Sequence, residues 1–228
     1  MTSADPEPPA DPRPPPRRST AASARVLPPA EPHSLEEIRR ALGRPDLLVD
    51  LVLAAPRRLA SDIASRANTG PVATLLAVAS VAFAVPYGCV HGFGSWWRMV
   101  PLFLGTVAIC FPSLHVFCSY LGLRVTLAQN LVLALTISAV AAIFSLGFAP
   151  ILAFLRLTID PGAHEVGWES LSVLLLAASL LAGIAQLWRC LRGWNGMATP
   201  RSFAIVLLFW HVMLIYIFAR MGTVLGLW

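Results

Sequence analysis

Residues 127–155 read LAQNLVLALTISAVAAIFSLGFAPILAFL, 29 positions without a charge. A helix of that length extends about 43 Å at ~1.5 Å per residue, more than the ~30 Å of a bilayer's hydrocarbon core. Lipid offers no partner for a free backbone N–H or C=O, so such a run reads as a membrane-spanning helix whose bonds close within it. Working outward, residues 71–93, 100–123, 168–191 and 203–225 have the same apolar character. Together the five runs predict an all-α, polytopic membrane bundle over residues 70–228.

The charges agree with this division. Of the 228 residues, 57% are hydrophobic and 13% charged, about half the charged fraction of an ordinary soluble domain. Nine of twelve acidic and ten of seventeen basic residues precede Thr69. All the basic residues are Arg, which with the Ala and Pro richness reads as the mark of a GC-rich genome. The positive balance sits beside apolar spans and therefore points to lipid headgroups, not nucleic acid. The N-terminus has no apolar core of a cleavable signal, so the first span is expected to act as the insertion signal.

Residues 1–33, with PEPPADPRPPP and LPPAEP, predict a disordered Pro-rich tail. Residues 34–69 predict a cytoplasmic, amphipathic helical segment. Ser34 and Glu37 form a capping-box pattern opening a short helix that runs to Leu42. Further helices follow over 46–55 and 57–67, with Gly43, Pro45 and Pro56 as breaks. Leu59 and Ile63 share a face flanked by Arg57, Arg58 and Arg66. That pattern suits either a helix lying on an anionic leaflet or a solvated linker helix.

Arg placement sets an orientation. Arg57, Arg58, Arg66, Arg124, Arg189, Arg192 and Arg201 fall on one side. Asp160, Glu165 and Glu169 fall on the other with Arg98 and Arg156. The positive-inside rule then puts the N-terminus inside and the C-terminus outside. Trp96, Trp97, Trp168, Trp188, Trp194 and Trp228 cluster at span ends, where indoles prefer to sit. Ser179 with Gly183, Ala178 with Ala182, and the row Ala141, Ser145, Ala149 are small residues spaced for close helix packing.

Few intramembrane groups could carry chemistry. His91, His115 and His211 are the titratable ones, and no carboxylate lies deep in a span, which disfavours a carboxylate proton relay. Cys89, Cys110, Cys118 and Cys190 read as small buried apolar residues. His115 and Cys118 share a helix face, but Cys110 lies about 140° round from His115, so no metal site is predicted. No cofactor is implied. Pro112, inside span two, predicts a kink, with Ser113 bonding the carbonyl that Pro112 frees and His115 turned into the bundle.

Two families resemble parts of this pattern. Pro112, Ser113 and His115 resemble the Pro-Ser-x-His motif of PAP2-type lipid phosphatases, which would imply a leaving-group acid at His115. That family's third motif has no matching counterpart; Arg156, His164 and Glu169 are the nearest residues, at other spacings and across the bilayer. The broader resemblance is to the Yip1-type family and its small bacterial relatives, which have a cytosolic N-terminal region, five packed spans and a short tail. It is carried by Asp50-Leu-Val-Leu-Ala-Ala-Pro-Arg-Arg-Leu59 and Phe111-Pro-Ser-Leu-His-Val-Phe117. It implies a non-enzymatic organiser or partner-binding scaffold in a bacterial cytoplasmic (inner) membrane, with protein partners or self-association through the spans. A PAP2-like hydrolase centred on His115 and a small channel or transporter are the alternatives.

Overall fold

The computed structural model describes residues 31–66, 68–92, 96–122, 125–158, 165–193 and 201–228, without the side chains of 165–169, 193, 201 and 202. Residues 1–30 of the predicted tail lie outside that description. Most of the described residues are helical, with no strand among them. Three short helices, α1 (Leu35–Leu42), α2 (Pro45–Leu53) and α3 (Pro56–Ser65), precede five long ones. These are α4 (Thr69–His91), α5 (Thr106–Tyr120), α6 (Leu127–Thr158), α7 (Glu165–Gly193) and α8 (Arg201–Val224). A 3₁₀ turn at Trp96–Arg98 and a π-helical turn at Pro101–Gly105 lead into α5. Counted with those turns, five segments among the described residues are long and apolar enough to cross a membrane.

The prolines that were expected only as breaks start helices instead. Pro45 and Pro56 occupy the first positions of α2 and α3, where the missing N–H costs nothing and φ is already set. The α1 capping box forms as the sequence indicates: Glu37 N–H donates to Ser34 Oγ at 3.1 Å, and Ser34 N–H donates to Glu37 Oε2 at 2.9 Å.

Helix α6 is the bundle's axis, packed between α4 and α7, while α5 packs mainly on α8. Every residue over 132–143 is buried. Small side chains there, such as Ala134, Ala139 and Ala141, let the flanking backbones come close. The tightest approach is at Gly183 of α7, where an added Cβ would collide with the carbonyl oxygen of Ile137. Ser179 is buried one turn away, and its hydroxyl donates to the Leu175 carbonyl at 2.8 Å. Ala178 is exposed and Ala182 half-exposed, so that pair lies on the outward face of α7.

Helices α1–α3 close one end of the bundle, here called the capped end. Ile38, Leu48, Val52, Leu59 and Ile63 are buried in the same apolar core as α4, α6 and α7. The Leu59–Ile63 face, expected on a leaflet or in solvent, is therefore covered by protein. The burial of apolar surface at that end outweighs either alternative for α3. His33, assigned to the tail from sequence, belongs to this cap as well: its side chain is only 3% exposed.

At the open end, α8 finishes in a Schellman turn. Leu227 N–H bonds the Gly222 carbonyl at 3.0 Å and Gly226 N–H bonds the Thr223 carbonyl at 3.1 Å. Gly226 has φ +64°, a conformation natural to glycine at that position. The turn folds Trp228 back so that its indole covers Gly222, where an added Cβ would overlap the ring.

Candidate functional site

The seat between the cap and the bundle is held by polar contacts between elements. Gln129, buried near the start of α6, donates from Nε2 to the Ile63 carbonyl at 2.5 Å. Gln186, buried near the end of α7, donates to the Val52 and Leu53 carbonyls at 3.3 and 3.2 Å. Carbonyls in the last turn of a helix lack helical partners. The two glutamines thus satisfy the C-terminal ends of α3 and α2 from the membrane side. A second lock ties the start of the cap to its end. Asp62, fully buried, accepts the His33 backbone N–H at 2.8 Å and the His33 Nδ1–H at 2.5 Å. Asn68 Nδ2–H donates to the His33 carbonyl at 2.7 Å. A buried carboxylate needs such partners to offset its desolvation.

The three basic residues expected at the membrane surface differ in their surroundings. Arg58 donates to Glu37 Oε2 at 3.0 Å and to the Glu31 carbonyl at 3.3 Å, clamping the start of α1 to α3. Arg57 is exposed. Arg66 is exposed at the α3 C-cap with φ 61°. Glu37 is held below the ordinary carboxylate value of 4.5, chiefly by the Ser34 backbone N–H, with desolvation opposing and the Arg58 charge adding to the lowering.

The span-two residues lie closer to the capped end. Pro112 is exposed on α5, which continues through it as one helix. The Ser113 hydroxyl donates to the Cys110 carbonyl at 2.6 Å. This corrects the expectation that Ser113 serves the carbonyl freed by Pro112, which on a four-residue ladder is that of Ala108. The same Cys110 carbonyl accepts the Trp210 indole N–H at 2.9 Å, a bond that ties α8 to α5. His115 is half-buried, and its Nδ1 faces the Asn130 amide nitrogen at 3.0 Å. The Asn130 Oδ1 is buried without a hydrogen-bond partner among the described residues.

His115 and Arg156 are not brought together. Asn130 and Arg156 are 26 residues apart on α6, a separation of about 39 Å along a helix. Arg156 instead donates to the Val90 carbonyl at 2.7 Å at the open end. His164 and the Glu169 side chain lie outside the described residues. Among the described residues, no three His, Cys, Asp or Glu side chains lie together in a way that could hold a metal. His211 is buried, donates from Nδ1 to the Leu207 carbonyl at 2.5 Å and stacks on Trp188 with ring centroids 6.0 Å apart. Other buried hydroxyls bond back into their own helices: Ser80 to Leu76, Thr136 to Val132 and Ser145 to Ala141, each at 2.8 Å.

A cavity of about 180 Å³ lies between α7 and α8 in the half toward the open end. Its lining is apolar, from Val173 to Leu181 on one side and from Ile215 to Ala219 on the other, with Trp228 at its edge.

No family model matches the chain, and neither a curated protein nor a solved structure matches it significantly.

Sequence reasoning that weighed only titratable groups passed over Gln129, Asn130 and Gln186. A signal was available: each is an amide within a turn or two of the end of a long apolar run. Polar side chains there have to find partners in the protein or in the headgroups.

Proposed function

We propose that this protein is a non-enzymatic membrane organiser, a scaffold of the Yip1-like type that presents its N-terminal cap to partner proteins. The observation that carries the reading is the glutamine-locked seat of α1–α3 on α6 and α7. It supports a rigid platform whose outward side carries exposed Glu36, Arg39, Arg40, Arg44, Asp46, Asp50 and Arg57. Charges arranged in this way suit steering and selecting a protein partner. The arginine distribution favours the cap inside, and the resemblance to the bacterial relatives favours a bacterial cytoplasmic membrane as the setting.

The test is photo-crosslinking in intact cells, with the reactive group placed at Arg39, Asp46 or Arg57 and at lipid-facing Val116 as control. The scaffold reading expects one protein adduct from the cap sites, lost on reversing neighbouring charges and absent from Val116. Lipid adducts alone at every site would refute it. So would phosphate release from a lipid phosphate that disappears in His115→Ala.

A further inference from the structure

We propose that the α7–α8 cavity is a phospholipid site, holding one acyl chain with the phosphate turned toward the open end. The cavity lies inside the membrane-crossing parts of both helices. Val173, Ala177 and Leu181 form one wall, Ile215 and Phe218 the other, and Trp228 the end. These walls offer water no set of polar partners, so water does not fill the space. A void left empty forfeits the dispersion contacts of its lining. In hydrocarbon, the flexible apolar material at hand is an acyl chain. Access is lateral: Leu181 is 57% exposed and Ile215 41% exposed, while Leu180 and Phe218 behind them are buried.

Charge at the open end sets which end of the lipid lies where. Arg98 donates from Nη1 to the Gly226 carbonyl at 3.2 Å, two residues from Trp228, with its guanidinium 5.9 Å from the Trp97 ring centroid, and a guanidinium's planar fork of donors suits a phosphate. Arg220, one residue past the lining residue Ala219, is exposed on α8. Both stand at the open end, where a headgroup would emerge, while Trp188 stacked on His211 stands toward the capped end. Phosphate is the chemistry they share with any phospholipid, whether its headgroup is anionic or zwitterionic.

The experiment is native mass spectrometry of the full chain released from nanodiscs. The discs contain phosphatidylglycerol, phosphatidylethanolamine or phosphate-free diacylglycerol in a common background. The proposal expects one phospholipid to be retained, at least tenfold over diacylglycerol. Ala177→Phe and Ala219→Phe, which fill the space from its exposed rim, should each abolish retention. Arg220→Gln should bring phospholipid down toward the diacylglycerol level. Melting of each variant by circular dichroism shows that the bundle is intact, and because the two phenylalanines lie on different helices, one can fail without losing the test. Retention unchanged in both phenylalanine variants overturns the site. Diacylglycerol held as well as phospholipid overturns the phosphate assignment. The two phospholipid arms separate an anionic headgroup from a zwitterionic one.

Discussion

Gly183 and Trp210 show how single residues fasten this bundle. Adding a methyl at Gly183 forces α7 away from the Ile137 carbonyl. Overpacking of this kind costs about 1–3 kcal/mol. Gly183→Ala is expected to lower the midpoint of unfolding in detergent, whereas Ala182→Val, on a less buried face of the same helix, should leave it nearly unchanged. Trp210→Phe removes the indole bond to the Cys110 carbonyl while keeping most of the ring's packing. Interhelical bonds in membranes average about 0.6 kcal/mol, so a loss near that size is expected in the same assay. Gly183 was legible in the sequence because small residues four apart on an apolar helix have few other uses. The Trp210 bond was not, because its partner carbonyl lies 100 residues away and no local spacing points to it.

Among the elements, the cap makes the sharpest predictions. Gln129→Leu with Gln186→Leu removes both locks while keeping side-chain bulk. Hydrogen exchange over 35–65 should rise markedly, with exchange in α4 and α6 unchanged; uniform exchange would show that apolar burial alone seats the cap. Glu37 gives the cap a pH dependence of known sign. Its folded pKa lies below the unfolded value of 4.5, so its contribution is complete above that value and lost as pH falls through it toward the folded pKa. Protection of the first turn of α1 should therefore drop as pH falls below 4.5, and Glu37→Gln should flatten the profile. The α1 start was readable from Ser34 and Glu37 alone because capping is local. Docking of α3 was not readable, since an apolar stripe looks the same whether it covers lipid, water or another helix.

For the molecule as a whole, five long apolar runs were enough to establish the all-α membrane class, since the bilayer leaves so few alternatives. Their arrangement around α6 was not in the pattern, because a uniformly apolar helix carries no moment that names its neighbours. The arginines predict an orientation across the bilayer with the capped end inside. Single cysteines in a cysteine-free background should report it: Ser65→Cys at the capped end labels only after permeabilisation, and Thr223→Cys at the open end labels in intact cells. The reverse result would invert the bundle and move the cap outside the cell.

The glutamine seat also sets a schedule for synthesis. Val52 leaves the ribosome 134 residues ahead of Gln186, its partner. At roughly 5–20 residues per second, that interval is about 7–27 s. Through it, Leu59 and Ile63 have only part of the surface that finally buries them. A chain that stalls before α7 cannot complete the seat, and α3 then lacks the packing that α7 supplies.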